Sequence, residues 1–300
     1  MRLLKERNVV KVMEATIEKA VNIEELSQFL AEQNKQKQSH IGYCGEKEEE
    51  IARALNEDFV DEKGEIRFVV ARNESGEIIA AIGADTDETT AEVWGPFNKN
   101  ASVELQHQLW EQLVKEHPTI QTFYFFINQE NKDQQAFMNE IKANKTGEHL
   151  ILKVKRQNFL DVSEFHSLPF KQSNFQAFEK LHNFAFPKTY YDARTIVERL
   201  NEHRILRVLK NGRGYAYYEI DPEMGEASLE YITIAPEAQN QGLGTMLLKE
   251  VLTDLFSYPQ INEIRLCVDH ANEQANHVYM KAGFQPVDIL ISYEKGSSDD

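Results

Sequence analysis

The spacing of apolar residues divides the sequence into predicted helices and strands. Near the start of the chain, apolar positions recur at near-helical spacing and predict helix, namely Ile17, Val21, Ile23, Leu26, Phe29 and Leu30. Further helices are predicted over 48–59, 103–116 and 132–142, and strands over 66–71, 77–83, 89–94, 122–127 and 149–155. A Gly-containing turn at 73–76 separates two apolar runs and indicates a hairpin.

The second half of the sequence shows the same succession of patterns. Helices are predicted over 175–186, 193–200, 243–256 and 273–282, and strands over 205–209, 215–220, 227–234, 263–268 and 287–293. Alternating strands and helices with several hairpins predict an α/β (α+β) fold, in which mixed, mostly antiparallel twisted sheets are flanked by helices.

The two halves can be overlaid at a nearly constant offset. The matched pairs are Gly76 with Gly214 and Glu92 with Glu230, each 138 residues apart, and Asn131 with Asn272, 141 residues apart. A repeated element order at a constant offset indicates a duplicated domain. The sequence therefore predicts a first domain over 1–156, a linker over 157–171 and a second domain over 172–300.

Composition narrows the classes of partner. The formal net charge is −16, with −9 up to residue 155 and −7 beyond it. Because both halves are acidic, nucleic acid is not an expected partner, whereas an amine substrate is compatible. Cys44 and Cys267 lie in different halves and make no metal-binding pattern, so we expect no metal and a reducing compartment. No apolar run reaches the length of a signal peptide or membrane span, so we expect a cytoplasmic protein without membrane attachment.

The segment 229–252 carries the first chemical signal. It combines an apolar strand, a loop containing Gly242 and Gly244, and an amphipathic helix. Glycines let successive backbone N–H groups face one concavity, and the helix start adds its positive dipole end, so the loop suits a pyrophosphate without needing Lys or Arg. It is not a Rossmann fingerprint, since Leu247 occupies the third glycine position, and no Gly-Lys-Ser/Thr of a P-loop follows.

A second segment, 272–284, follows the predicted strand 263–268 and changes the interpretation. Together the two segments resemble the GNAT superfamily of N-acetyltransferases. The motif Gln/Arg-x-x-Gly-x-Gly/Ala is matched by Gln239, Gly242 and Gly244. The motif Asn-x-x-Ala-x-x-hydrophobic-Tyr-x-x-x-Gly-Phe is matched by Asn272, Ala275, Val278, Tyr279, Gly283 and Phe284. The resemblance is strong over about 205–293 and weaker over 170–204.

The resemblance implies acetyl-CoA as co-substrate and assigns roles to residues. The strand before the loop is expected to splay from the next strand and to bind the pantetheine arm. Tyr279 would protonate the departing thiolate, and Glu230 is the candidate base for the amine, in competition with Glu219. A strand N–H near Ile232 could stabilise the thioester oxygen in the transition state. The expected cofactor-binding residues are Ile232, Thr233, Ile234, Gln239, Asn240, Gln241, Gly242, Leu243, Gly244, Thr245, Asn272 and Tyr279.

Simpler interpretations stay open for these residues. Tyr279 can be a tyrosine at the edge of the core, Glu230 a solvent-facing strand carboxylate, and Asn272 mainly a helix cap. The segment 186–192 is a candidate for acceptor recognition or an ordinary Pro-containing connection.

The first half lacks both motifs. The segment 94–101 contains no Gly-x-Gly and includes Pro96, and Met138 stands where the second motif has tyrosine. We therefore expect a degenerate GNAT-like domain that binds no cofactor, followed by a catalytic domain.

The predicted function is transfer of an acetyl group from acetyl-CoA to a primary amine of a small molecule or peptide. The alternatives are a non-catalytic acetyl-CoA sensor, and an interaction protein whose domains pair in a homodimer.

Overall fold

The computed structural model describes residues 15–61, 63–99, 102–189 and 191–297. These residues form two compact units. The first comprises 15–148 and 289–297, and the second comprises 149–288. The units therefore do not follow the sequential blocks 1–156 and 172–300. None of the helices in the described ranges is both long and apolar enough to cross a membrane.

The first unit contains five strands and four helices before residue 144. They are β1 (Thr16–Lys19), α1 (Ile23–Asn34), α2 (Glu48–Asp58), β2 (Phe68–Arg72), β3 (Ile78–Asp87), β4 (Thr90–Asn98), α3 (Val103–Glu116), β5 (Thr122–Asn128) and α4 (Lys132–Glu140). The strands pair in the order β1-β2-β3-β4-β5, antiparallel except for β4 with β5. The helical prediction for Ile17 is wrong, because this residue pairs with Ala71 at the sheet edge.

Alternate side chains of β2 fill the two cores of the first unit. Val69 and Ala71 belong to the apolar cluster that includes residues of α3 and α4. Phe68 and Val70 belong to the cluster that includes residues of α1 and α2. Because successive strand residues point to opposite faces, a continuous apolar run is the pattern of a sheet covered by helices on both sides.

The second unit repeats this order of elements. They are β7 (Leu168–Pro169), α5 (Phe175–Ala185), α6 (Ala193–Arg199), β8 (Arg204–Val208), β9 (Gly214–Asp221), β10 (Glu226–Ile234), α7 (Leu243–Phe256), β11 (Glu263–Asp269) and α8 (Glu273–Ala282). Four strands form an antiparallel sheet in the order β10-β9-β8-β7. The mixed, mostly antiparallel sheets flanked by helices agree with the predicted fold class.

Two long strands each begin in one unit and end in the other. β6 (Asn144–Lys155) begins in the first unit, and its residues 149–155 pair with β11 in the second. β12 (Gln285–Gly296) begins in the second unit, and its residues 290–296 pair with β5 in the first. Each unit is therefore completed by the final strand of the other half of the chain.

The structure corrects the overlay of the two halves. β3 and β9 begin at Ile78 and Gly214, which are 136 rather than 138 residues apart. Gly76 thus corresponds to Gly212, and both have positive φ, of 83° and 67°. At this offset Glu230 corresponds to Trp94, so its match with Glu92 is wrong.

The offset grows to 140 at the helices α3 and α7, because the connection 235–242 is four residues longer than its counterpart 99–102. It reaches 141 at α4 and α8, because the connection 257–262 is one residue longer than 117–121. Most of the added length in the second half therefore lies in the loop for which pyrophosphate binding was predicted.

The segment predicted as a linker, 157–171, packs within the second unit. The fully buried Glu250 of α7 accepts hydrogen bonds from the backbone N–H groups of His166 (2.7 Å) and Ser167 (3.0 Å) and from the Ser167 hydroxyl. Arg207 of β8 donates from Nε to the same hydroxyl oxygen at 2.8 Å. These contacts fasten the segment to the helix that follows the candidate loop.

We expect Glu250→Ala to destabilise the protein by about 2–4 kcal/mol, because three donors, two of them buried, lose their acceptor and a cavity forms. Urea unfolding followed by circular dichroism measures this loss. Glu198→Ala, at an exposed position of α6, is the matched control and should stay within about 0.5 kcal/mol of the wild type. Equal stability of both variants would contradict an anchoring role for Glu250.

Candidate functional site

The strand β10 lies at an edge of its sheet. It pairs with β9 on one side, and no strand of the described residues pairs with it on the other. β11, the next strand along the chain, pairs with β6. Every β10 residue except Tyr231 is partly exposed. The backbone groups along the open edge are thus available to a ligand that binds as an added strand, which is the separation of strands expected from the resemblance.

A β-bulge places Glu230 within this strand. Leu229 is opposite Tyr218 and Tyr231 is opposite Tyr217, so Glu230 is the additional residue. Tyr231 and Tyr217 belong to the apolar cluster that includes residues of α5 and α6. Bulges bend a strand and redirect a side chain, and they are frequent beside active sites. Glu230 therefore occupies a specialised backbone position.

The loop after β10 has the geometry of an anion-binding turn. Asn240 and Gly242 have positive φ, of 59° and 78°, and Gly242 directly precedes α7. The first hydrogen bond within this helix runs from the Met246 N–H to the Gly242 carbonyl at 3.0 Å. The N–H groups of Leu243, Gly244 and Thr245 precede that bond and point out of the helix start. A Cβ added at Gly242 would meet no atom within 4 Å, so the space in front of the loop is open.

The side chain of Gln239 hydrogen-bonds the end of β10 and the first turn of α8. Its Nε2 donates to the Ile234 carbonyl at 3.0 Å, and its Oε1 accepts from Gln274 Nε2 of α8 at 3.1 Å. Its backbone N–H donates to the Pro236 carbonyl at 3.3 Å. The Gln239 side chain thus has a structural contact in the loop, and the Ile234 carbonyl already accepts a protein hydrogen bond.

Three predicted site elements converge at Gly244. A Cβ built on this glycine would lie 3.6 Å from Ile234 Cγ1 on β10 and 3.6 Å from Val278 Cγ1 on α8. Val278 directly precedes Tyr279. The end of the open strand, the start of the helix and the turn of α8 that carries the tyrosine therefore lie together.

Tyr279 packs edge-to-face against Phe284, with ring centroids 5.8 Å apart. Its hydroxyl makes no hydrogen bond among the described residues. Burial raises the pKa of Tyr279 above its ordinary value, so the hydroxyl keeps its proton at neutral pH. Asn272 caps α8, because its Oδ1 accepts from the Ala275 N–H at 3.1 Å, as Asn131 caps α4 in the first unit. The cap alone accounts for asparagine at both positions.

Glu219, the competing candidate for the base, accepts several hydrogen bonds. Glu219 accepts from Arg199 Nη2 at 2.9 Å, from Arg204 Nε at 3.2 Å and from the Tyr217 hydroxyl at 2.5 Å. Burial acts to raise the pKa of Glu219, but these hydrogen bonds outweigh it and the pKa lies below the ordinary value. A carboxylate that is held by two arginines is a weak base, which argues against Glu219 as the base.

The connection 186–192 is fixed against the sheet. The Thr189 Oγ1 and Tyr231 hydroxyl oxygens are 2.5 Å apart, and the Phe186 ring packs against Tyr231. His182 is fully buried, with Nε2 2.9 Å from the Tyr191 carbonyl and Nδ1 2.6 Å from the Tyr215 hydroxyl. Because a carbonyl only accepts, Nε2 carries the proton of the neutral ring. Burial lowers the pKa of His182 and keeps it neutral. These contacts attach the described residues of the connection to the sheet, and its role in acceptor recognition stays a prediction.

The equivalent place in the first unit is filled by protein. β4 pairs with β5 in parallel at three positions, and Trp94 and Phe97 of β4 are buried. The buried Gln134 stands where the second unit has Ala275, and its Nε2 donates to the Pro96 carbonyl. This side chain links the end of β4 to α4, where the second unit stays open.

Sequence reasoning missed Arg213. The residue lies in the β8–β9 turn, and its Nη2 donates to Gln241 Oε1 at 2.6 Å. Its carbonyl accepts from the Ala235 N–H at 2.9 Å. The sequence analysis assigned the binding of pyrophosphate to backbone N–H groups of the loop, so it named no basic residue from another turn. The available signal was a glycine-rich turn with an arginine, Asn211-Gly212-Arg213-Gly214, in a strongly acidic chain.

The fold and the site together define an α/β protein of two repeated units. Among the described residues, a strand with an open edge leads through a glycine loop into a helix start only in the second unit. Residues 170–284 match the family model of the Acetyltransferase (GNAT) family. This part of the chain is a GNAT domain, as the sequence motifs predicted.

Solved structures extend the similarity to nearly the whole chain. A GCN5-related N-acetyltransferase from Sphaerobacter thermophilus has a TM-score of 0.75 at 13% identity, covering 94% of this chain and 96% of that one. A tandem GNAT protein from the clavulanic acid biosynthesis pathway has a TM-score of 0.63 at 12% identity, covering 96% and 100%. A GNAT-family acetyltransferase from Colwellia psychrerythraea has a TM-score of 0.54 at 11% identity, covering 93% and 99%. At these identities the similarity establishes the fold, including a GNAT-like first half.

Proposed function

We propose that the protein is an acetyl-CoA-dependent N-acetyltransferase that acetylates a primary amine, with its single catalytic site in the second unit. The observation that carries this proposal is the convergence at Gly244 of the open β10 edge, the loop before α7 and the turn of α8 that bears Tyr279. Membership of residues 170–284 in the GNAT family supports it.

The residues present fit acetyl-CoA. The open edge of β10 at Ile232, Thr233 and Ile234 would bind the pantetheine arm, and Asn272 would lie beside it. The N–H groups of the turn and helix start would bind the pyrophosphate. The predicted pyrophosphate-binding residues of this turn and helix start are Gln239, Asn240, Gln241, Gly242, Leu243, Gly244 and Thr245. When bound, acetyl-CoA supplies the thioester carbonyl on which acyl transfer takes place.

Two side chains handle the protons. Glu230, placed by the bulge, accepts the proton that an ammonium must lose before it can act as a nucleophile, directly or through a water. Tyr279, protonated at neutral pH, would donate its hydroxyl proton to the thiolate of coenzyme A as the thioester bond breaks. A backbone N–H of β10 near Ile232 would stabilise the charge that develops on the thioester oxygen.

Isothermal titration with acetyl-CoA tests the cofactor assignment. We expect micromolar binding with one site per chain, because Gln134 and the buried aromatic residues close the equivalent place in the first unit. Gly242→Trp should abolish this binding, because its side chain would occupy the open space before the loop. The positive φ of Gly242 adds a strain of about 1–2 kcal/mol to this variant.

Gly76→Trp is the matched control for that strain. Gly76 has a φ of +83°, against +78° for Gly242, and a Cβ there also meets no atom within 4 Å. Both variants should lose similar stability, but Gly76→Trp should bind acetyl-CoA like the wild type. No binding by a folded wild type, or two sites per chain, would contradict the proposal.

A further inference from the structure

We propose that Arg213 binds a phosphate group of coenzyme A and makes the second unit selective for the phosphorylated cofactor over a phosphate-free pantetheine thioester. The inference rests on the proposed function and adds a residue from the β8–β9 turn, outside the motifs that define the cofactor loop.

The position of Arg213 is fixed by the turn that carries it. The Leu209 N–H donates to the Gly214 carbonyl at 2.8 Å, and the Ala235 N–H donates to the Arg213 carbonyl at 2.9 Å. On the opposite side, a Cβ added at Gly212 would lie 3.0 Å from Ala177 Cβ on α5. The turn is therefore held between α5 and the end of β10, and it brings Arg213 beside the loop that follows β10.

The side chain is suited to an anion at this place. Its Nη2 donates to Gln241 Oε1 at 2.6 Å, directly before Gly242. Within the described part of the chain, no other cationic side chain hydrogen-bonds the loop 239–242, and the Arg213 guanidinium makes no second hydrogen bond or ion pair. Four of its five N–H donors are thus available, and they present a planar fork that matches phosphate.

Charge and chemistry favour the same partner. The chain carries a net charge of −16, so an anionic cofactor meets an unfavourable overall field and gains from a local cation. The carboxylate nearest in sequence to the loop belongs to the exposed Glu237, whose carbonyl accepts from Gln241 Nε2 at 3.3 Å. Backbone N–H groups bind the pyrophosphate without a full charge, and Arg213 adds that charge.

The test compares ligands with and without phosphate. Arg213→Gln should weaken the binding of acetyl-CoA about tenfold in calorimetry at low salt and flatten the salt dependence of Kd. It should leave the affinity for acetyl-pantetheine, titrated to millimolar concentration, unchanged. Arg213→Lys keeps the charge but not the fork, so it should restore part of the affinity. Arg194→Gln, which removes an exposed arginine from α6, is the charge-matched control and should bind like the wild type.

A second variant separates phosphate binding from a purely structural role of the turn. Gln241→Ala removes the contact with Arg213 but keeps the guanidinium and the backbone N–H of residue 241, so it should weaken acetyl-CoA binding less than Arg213→Gln does. A loss as large as that of Arg213→Gln would overturn the inference, as would an equal loss for acetyl-pantetheine. Titration with 3′-dephospho-coenzyme A then identifies the phosphate, because the effect of Arg213→Gln disappears if the 3′-phosphate is the partner and persists if the pyrophosphate is. Absence of acetyl-CoA binding by the wild type would instead remove the proposed function itself.

Discussion

Replacing Tyr279 with Phe is expected to lower kcat about 100-fold or more, while the Kd for acetyl-CoA stays within about twofold of the wild type. The hydroxyl makes no hydrogen bond among the described residues, so its removal leaves no buried partner unsatisfied. The ring contact with Phe284 at 5.8 Å is kept. A loss confined to kcat therefore reports the proton that the hydroxyl donates. The measurement is thiol release from acetyl-CoA with an acceptor amine found by screening.

The raised pKa of Tyr279 predicts the direction in which activity changes with pH. The protonated hydroxyl is the active form, and burial raises its pKa. Wild-type activity should therefore persist through neutral pH and fall only as the pH rises through this raised pKa, and the fall should be absent in the Phe variant. Tyr258→Phe removes a hydroxyl with only a 3.4 Å contact to a backbone carbonyl and serves as control. Equal kcat for all three proteins would assign Tyr279 to the core edge.

Replacing Glu230 with Gln is the second change with a large expected effect. We expect kcat/KM to fall about 100-fold at neutral pH, because the amide cannot accept a proton from the ammonium acceptor. The deficit should shrink as the pH rises towards the pKa of the acceptor, since the free amine then no longer needs a base. A pH–rate profile of both proteins with one acceptor measures this convergence.

Glu219→Gln provides the matched comparison on the neighbouring strand. It removes the charge that Arg199 and Arg204 hold, so it should lower stability by about 1 kcal/mol while kcat/KM stays within about threefold of the wild type. If Glu219→Gln loses activity with the pH profile described and Glu230→Gln does not, the assignment of the base is reversed.

Local patterns were sufficient to predict most of the fold and the elements that carry the candidate site. The sequence pattern placed α7 and α8 at the residues where they occur, because α7 buries an apolar face and follows a glycine turn, and α8 begins at the Asn272 cap. The glycine loop and Tyr279 were predicted from two motifs at fixed spacing, and the structure brings their elements together at Gly244. The strand β1 was missed, because a four-residue edge strand takes its conformation from pairing with β2.

Features that depend on distant contacts were beyond sequence reasoning. The bulge at Glu230 is a property of register, and the offset between the halves could be corrected only from paired strands. Arg213 reaches the loop through a turn that precedes Gln241 by 28 residues. Likewise, the hydrogen bonds of Glu219 with Arg199 and Arg204 join residues of β9, α6 and β8. Nothing local in the sequence distinguishes this carboxylate from Glu230.

The strands that belong to both units also determine when the chain can fold during synthesis. Residues 290–296 complete the sheet of the first unit beside β5, yet the ribosome makes them only after residues 149–288 of the second unit. The nascent first half therefore carries an uncovered strand edge throughout translation of the second, the kind of edge that promotes association with other chains. A fragment ending at residue 155 keeps that edge permanently, so the behaviour of the first unit has to be studied in the full-length chain.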